Sequence, residues 1–333
     1  MGRKALGILT RRAALGLLAA PALAGRALAQ TLAQSHWPDR PVRAVVPFAP
    51  GGPADVVARL LADPVAAALG QPLVIENRAG AGGNIGMQAA AQAPRDGLTL
   101  LVTAAGPIVI NPALYPNPGY DPVRDFTPVS RLATGPLLVV CNPRLPYRNV
   151  GDVIADARRR PGEINFATGG NGTVPHLATE LFMRQAGIRM THVPFRATPQ
   201  ATQAVMAGDA AVFFDSPTSL SLARDGRLRA LAVTALKRFS LTPGVPSMPE
   251  SGGPNTAVEA WYAVLAPAGV PADRVARIGA AFTAAARRPD VVERFASLGF
   301  TPVNEEPARF AALIAEESAR WREVVRSAAI RIE

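Results

Sequence analysis

The chain has 333 residues, 49% hydrophobic and 18% charged, which is enough apolar material for a substantial α/β core divided between two domains. Its 29 Gly and 32 Pro are scattered, which excludes collagen-like repeats and long disorder. The formal net charge of +10 comes with no dense Arg/Lys run interleaved with aromatics, which argues against nucleic-acid binding.

The first residues read as an export signal. Arg3, Lys4, Arg11 and Arg12 precede AALGLLAAPALA, and Ala27-Leu28-Ala29 follows. A basic start, a short apolar stretch and a small-residue site mark a cleaved signal peptide over residues 1–29. The stretch falls short of the roughly 20 residues that span a bilayer. Cleavage is expected after Ala29, with Ala24 as the alternative, and Thr10-Arg11-Arg12 leaves both Sec and twin-arginine export open. Five basic residues and no acids lie in that segment, so the mature chain is near +5. Mild positive charge favours anionic small molecules over long range.

Past the signal, strands and helices alternate. VRAVVPF (42–48) reads as a strand, and residues 54–69 carry helical periodicity that stops at Gly70. Asp63 and Pro64 predict a kink, with a second helical piece starting there. Residues 72–78 read as a strand, 82–93 as a helix and 98–104 as a strand. This βαβαβ rhythm predicts a parallel sheet with right-handed crossovers. The uncharged stretch 98–120 holds four prolines and reads as a strand plus loops, not a membrane span.

A long extended run at 128–143 then leads elsewhere, and the rhythm restarts. Helices are expected at 150–160, 174–186 and 197–207, and strands at 164–168, 190–195, 210–215 and 229–235. A second extended run occupies 260–267, and the rest reads as helices at 272–287, 289–298 and 307–328. Two α/β halves joined by two extended runs predict two lobes with a hinge: 37–136 plus 257–333 in one, 137–256 in the other. Ligands in such sheets sit beyond the carboxyl ends of strands, which puts a cleft between the loops after Phe48, Ala104, Thr168 and Asp215.

Two of those loops are rich in glycine. In PFAPGGPAD, Gly51 and Gly52 permit a sharp turn and close approach to the backbone, and Pro53 suits the first helical position. The free N–H groups and helix dipole then favour an anion. Asp55 lies in the first turn, either as a dipole-complementing or capping carboxylate or as a ligand contact. NFATGGNGTVPHL (165–177) repeats the logic: Thr168, Asn171 and Thr173 offer short donors, and Gly169, Gly170 and Gly172 bare the backbone.

Enzyme and metal signatures are missing. GAGGNIG has Ile85 where a dinucleotide fingerprint needs glycine, and no lysine follows the Gly51-Gly52 pair as in a P-loop. There is no G-x-S-x-G and no H-E-x-x-H. The three histidines, His36, His176 and His192, have no metal-ligand spacing, so no metal and no cofactor are expected. His192 reads as structural, and His176 as a packing or hydrogen-bonding residue. The single cysteine, Cys141, sits in LLVVCNP and reads as a small buried hydrophobe.

The ordered segments WPDRPVRAVVPFAPGGPADVVARLLA, IENRAGAGGNIG, NPALYPNPGYDPVRDFTPVS, NFATGGNGTVPHLATELF, HVPFRA, FFDSPTSL and AWYAVLAPAGVP carry a resemblance across the whole mature chain. Together they resemble the Bug-type, or TctC-like, receptors of tripartite tricarboxylate transporters. The resemblance implies a two-lobed, type II periplasmic-binding-protein (Venus-flytrap) fold whose hinge is two extended strands. It also implies a periplasmic, monomeric receptor with no catalytic residues, which closes on a small organic carboxylate and delivers it to membrane permease subunits.

In that family the ligand carboxylate is held largely by backbone amides and ordered waters at the first glycine loop. The positions it implies here are Phe48, Gly51, Gly52, Asp55, Asn84, Thr103 and Ala104 from the first lobe. From the second come Thr168, Gly169, Asn171, Gly172, Thr173, His176, Arg196 and Asp215. The chain departs from the family at Pro194-Phe195-Arg196-Ala197, which loses a phenol and gains a guanidinium, and at Thr103-Ala104-Ala105-Gly106, which is poor in hydroxyls. These departures point to a mono- or dicarboxylate with an apolar or aromatic body, and away from citrate. The alternatives are an exported enzyme using Asp55, His176 or Asp215 as acid or base, and a ligand-sensing partner of a membrane signalling protein.

Overall fold

The computed structural model describes residues 37–303, 305–327 and 330. The expected signal peptide, its cleavage site and His36 lie outside the described residues. The fold described here is the body that begins at Pro41.

The body is mixed α/β and built on two sheets. The first half opens with β1 (Val42–Val46), α1 (Pro53–Leu69), β2 (Leu73–Asn77), a 3-10 turn (Ala81–Gly83) and α2 (Asn84–Ala91). Then come β3 (Thr99–Ala104) and two short helices, α3 (Ala105–Val109) and α4 (Asn111–Leu114), followed by β4 (Phe126–Pro136). The second sheet is made by β5 (Leu138–Cys141), α5 (Val150–Arg159), β6 (Asn165–Thr168), α6 (Val174–Ala186), β7 (Thr191–Pro194), α7 (Thr198–Ala207), β8 (Val212–Asp215), α8 (Leu220–Arg224) and β9 (Arg229–Val233). The chain returns through β10 (Glu259–Pro267), α9 (Ala272–Ala286), α10 (Pro289–Ser297), β11 (Thr301–Pro302) and α11 (Pro307–Ser327).

The first sheet has the order β11-β4-β10-β3-β1-β2 and the second β7-β6-β8-β5-β9. Only β1, β2 and β3 in the first sheet, and β6, β7 and β8 in the second, run parallel. β10 lies antiparallel to both β3 and β4, and β5 antiparallel to both β8 and β9. Each sheet is therefore mixed, not purely parallel as the alternating rhythm suggests. The reason lies in the extended runs: they enter each sheet as long strands with no crossover helix, and nothing fixes their direction as parallel.

The extended run at 128–143 passes from one sheet to the other: it ends in the first at Pro136 and restarts in the second at Leu138. Two local expectations change. Residues after β3 fold as α3 and α4, where loops are expected; Pro107 and Pro112 lie in or next to their first turns, where a missing N–H costs nothing. α1 runs as a single helix through Pro64, not as two pieces. Its buried face of Val57, Ala58, Leu61, Val65 and Leu69 packs on the sheet, and that burial outweighs one missing backbone hydrogen bond.

The two chain passages between sheets are fastened together at one residue. Thr234 receives a bond at Oγ1 from the Leu137 N–H (2.8 Å) and gives its own N–H to the Leu137 carbonyl (2.9 Å). Its hydroxyl also donates to the Val258 carbonyl (2.6 Å), and the Val258 N–H bonds the Thr234 carbonyl (3.0 Å). All of these polar groups are buried, so each needs the other.

Candidate functional site

A cleft of about 550 Å³ opens beyond the carboxyl ends of β1, β3, β6 and β8, lined by residues of both sheets. Three helices of ordinary length start on it. α1 begins at Gly52, α6 at Thr173 and α7 at Ala197, none with a side-chain cap and each with a proline in its first two positions. By contrast α5 begins at Asn149, whose side chain accepts from the Asp152 N–H. The first N–H groups of a helix have no partner inside it. Ala54, Val174 and Thr198, all on the cleft wall, therefore carry N–H groups that the helices themselves do not satisfy.

The first corner is held by a carboxylate that does not reach the cleft. Gly51 sits at φ +77°, a conformation suited to glycine, and its N–H donates to Asp55 Oδ2 (2.9 Å). The same oxygen accepts from Arg59 Nε (2.9 Å), and Oδ1 accepts from Asn77 Nδ2 (2.9 Å), which also reaches the Phe48 carbonyl (3.0 Å). Burial pushes the Asp55 pKa up, but the bonds from Arg59, Gly51 and Asn77 outweigh it and the group ends below its ordinary value. Asp55 thus braces the Gly51–Gly52 turn, and the turn presents Gly52, Pro53 and Ala54 to the cleft.

The second loop rests on a stack of rings. His176 lies over His192 with centroids 4.1 Å apart, and His192 over Phe166 at 4.8 Å. His176 Nδ1 accepts the Gly172 N–H (3.3 Å), and His192 Nε2 pairs with Thr168 Oγ1 (2.6 Å). Burial lowers the His192 pKa to about 4; burial, then the neighbouring His192, lowers that of His176 to about 3. Both rings are neutral at pH 7, as an Nδ1 acceptor requires. The loop closes on itself through Thr173 Oγ1, which donates to the Gly170 carbonyl (2.8 Å).

Asp215 ends β8 and is buried at the cleft wall, accepting from Thr202 Oγ1 (2.9 Å) and the Ser216 N–H (2.6 Å). Burial pushes its pKa up to about 7, the hydrogen bonds opposing. Its folded pKa lies above the unfolded one, so this group favours the fold below 3.8 and loses that contribution as pH rises through about 7. Arg196, also on the cleft, is exposed and has no ion-pair partner among the described residues.

Of the expected site residues, Phe48, Gly52, Ala104, Gly169, Asn171, Thr173, Arg196 and Asp215 line the cleft. Gly51, Asp55, Asn84, Thr103, Thr168, Gly172 and His176 do not, because their polar groups are engaged behind the wall or their backbone is covered. Asn84 Oδ1, for example, accepts from Asn111 Nδ2 (2.6 Å) and Tyr120 Oη (3.0 Å), and the Thr103 hydroxyl reaches the Ala104 carbonyl (3.2 Å). Sequence reasoning missed Tyr115, Leu137 and Tyr262, which with Phe195 make much of the apolar wall. Their signal was present in the NPALY segment and in the extended runs, which read as scaffold. Among the described residues there is no cluster of three His, Cys, Asp or Glu suited to a metal, and no helix long and apolar enough to cross a membrane.

Residues 57–330 match the tripartite tricarboxylate transporter family receptor, TctC. The chain belongs to that family. TctC proteins are receptors and not enzymes, which sets aside the acid–base alternative for Asp55, His176 and Asp215. The chain is 36% identical to Protein BugT of Bordetella pertussis over 93% of this chain and 96% of the relative. Among solved structures it is similar to Rhodopseudomonas palustris MatC with bound malate, at 36% identity and a TM-score of 0.82, over 87% of this chain and all of that one. It is also similar to R. palustris Rpa4515 with adipate, at 34% identity and a TM-score of 0.85, over 89% and 99% of the two chains. The chain thus has the periplasmic-binding-protein fold.

The Asp55 brace is testable without a ligand. Asp55→Ala takes the acceptor from the Gly51 N–H and leaves Asn77 Nδ2 only its bond to the Phe48 carbonyl, and should lower unfolding free energy by about 2 kcal/mol at pH 7. Because the folded pKa is depressed, the gap to wild type should shrink as pH falls below the ordinary 3.8, read by urea denaturation across pH.

Proposed function

We propose that the chain is an extracytoplasmic receptor that captures a small carboxylate between two lobes and delivers it to the membrane subunits of a tripartite tricarboxylate-type transporter. The observation that carries this reading is the convergence of uncapped helix starts from both sheets on one cleft. Such donors favour an anion without a formal positive charge. In this reading residues 37–136 plus 257–333 move as one lobe and 137–256 as the other, pivoting near Thr234.

The walls set the ligand class. Phe48, Leu137, Val174, Phe195 and Tyr262 make the cleft largely apolar, and Arg196 supplies its one fixed charge. A mono- or dicarboxylate with an apolar body fits this pattern: one carboxylate on the helix starts, the body on the aromatic wall, a second carboxylate near Arg196. Receptors of the same family with bound malate and adipate support the dicarboxylate case. Citrate carries a third carboxylate that would face apolar surface or Asp215.

Calorimetry and thermal shift over a panel of mono-, di- and tricarboxylates test the proposal. Dicarboxylates of four to six carbons or aryl-substituted acids should raise the melting temperature, by an amount equivalent to about 2.7 kcal/mol at 100 times Kd. Citrate binding most tightly, or no shift across the panel, would sink the assignment. Arg196→Ala should weaken a dicarboxylate roughly tenfold and leave a monocarboxylate unchanged. A loss shared equally by both would remove Arg196 from the second-carboxylate role.

Affinity should also depend on pH through Asp215. Below about 7 its carboxyl is protonated and meets an anionic ligand as a neutral hydrogen-bond donor or acceptor. Above that pH it ionises against the ligand, and affinity should fall by up to about tenfold per pH unit. Asp215→Asn should flatten the profile; an unchanged slope between pH 6 and 9 would show that the decline comes from another group.

A further inference from the structure

The NPALY segment, Asn111 to Tyr115, and the turn before it reach the cleft through Tyr115 and Gly106, and they also make close contact with the second glycine loop. Gly106 in α3 comes so near that a Cβ added there would lie 2.6 Å from the Gly172 carbonyl oxygen and 3.5 Å from Thr173 Cα. At Gly82, φ +62°, an added Cβ would fall 2.4 Å from the Asn171 carbonyl oxygen and 2.8 Å from Tyr115 Oη. Tyr115 Oη itself points at the Asn171 carbonyl, 3.5 Å away.

Asn111 completes the seat. It is fully buried, and its Nδ2 donates to Asn84 Oδ1 (2.6 Å) and the Gly82 carbonyl (3.1 Å), which fixes the amide. Its Oδ1 has no hydrogen-bond partner among the described residues. It faces Gly172, where an added Cβ would lie 2.2 Å from that oxygen. An acceptor aimed at a glycine Cα–H makes a weak bond at best, so the site tolerates no side chain and gains little from hydrogen bonding. Such a surface fits closely but parts easily.

We propose that the structure holds the shut form of the receptor, and that Gly82, Gly106, Asn111 and Tyr115 form a seat that receives the Asn171–Gly172 backbone only as the lobes close. The fit of that seat sets the balance between open and closed receptor, and so the apparent affinity for any ligand. These are positioning residues: they act through the loop on the closed state. The inference rests on the closure proposed above. It goes further in assigning the cost and gain of closure to a contact that includes the NPALY segment. Apparent affinity scales with the population of the competent state, so a blocked seat weakens every ligand alike.

Gly106→Ala is the decisive variant. Gly106 has no positive φ, so alanine suits its own helix and should leave the ligand-free protein as stable as wild type or slightly more so. Small-angle X-ray scattering and calorimetry would use adipate, malate or whichever panel member binds wild type most tightly. Wild type should become more compact at saturation. The variant should stay extended and bind at least tenfold more weakly, with the same ranking of ligands. Tyr115→Phe, which removes only a long hydrogen bond, should weaken binding two- to fivefold. Because Gly106 also borders the cleft, compaction and ligand ranking decide the case, not affinity alone. A variant that compacts as wild type does with unchanged affinity overturns the seat. So does a ligand-free variant that melts well below wild type, since the contact would then exist without ligand. Wild type that binds without compacting refutes closure itself, a separate result.

Discussion

Helix-start N–H groups must find acceptors, and here three helices from two sheets direct theirs into one shared space. A buried donor without a partner costs on the order of 1–3 kcal/mol, so an empty cleft must be wet. A carboxylate offers several lone pairs at once and can replace those waters with little rearrangement of the protein. Proline in the first turn of each helix removes one N–H and sets φ in advance. The donors that remain are few and fixed in direction, and the cleft is specified mainly by backbone.

Backbone donors need support from behind, and both glycine loops have it. Asp55 pins the first corner with three hydrogen bonds, and the Phe166–His192–His176 stack carries the second. The supports are opposite in kind. One is an ionised carboxylate paired with Arg59 at the protein surface; the other is a pair of imidazoles that burial keeps neutral. Neither places a charge against the ligand. The cleft therefore keeps the low positive bias of the helix starts, with Arg196 at one edge and a carboxyl near neutrality at Asp215.

Much of this was legible in the sequence. The paired glycine loops, the strand ends that carry them and the return of the last helices to the first sheet follow from composition breaks and periodicity. The direction of the extended strands did not, because a strand that arrives without a crossover helix carries no orientation signal. The polar residues split for a related reason. Asp55, Thr168 and His176 fall within a few residues of the cleft, and sequence spacing cannot tell a side chain that faces the ligand from one that turns back to hold its own loop. Tyr115 and Tyr262 were invisible as site residues for the converse reason: Tyr262 comes from a segment distant in sequence and is brought to the cleft by the sheet order β4-β10-β3, and Tyr115 by the two short helices that replace the expected loop after β3.

Binding through neutral donors also suits a protein that must release what it holds. A buried ion pair is costly to break once formed, since each partner then loses both its hydration and its counter-charge. Backbone N–H groups lose only hydrogen bonds, which water restores as the cleft opens. The contact between the second glycine loop and its seat has the same character: glycine backbone packed too close to admit a Cβ, one long tyrosine hydrogen bond and, among the described residues, no ion pair. In the closure proposed above, dependence on fit more than on charge would keep the open and closed forms near in free energy, and the few kcal/mol supplied by a small carboxylate would then suffice to choose between them.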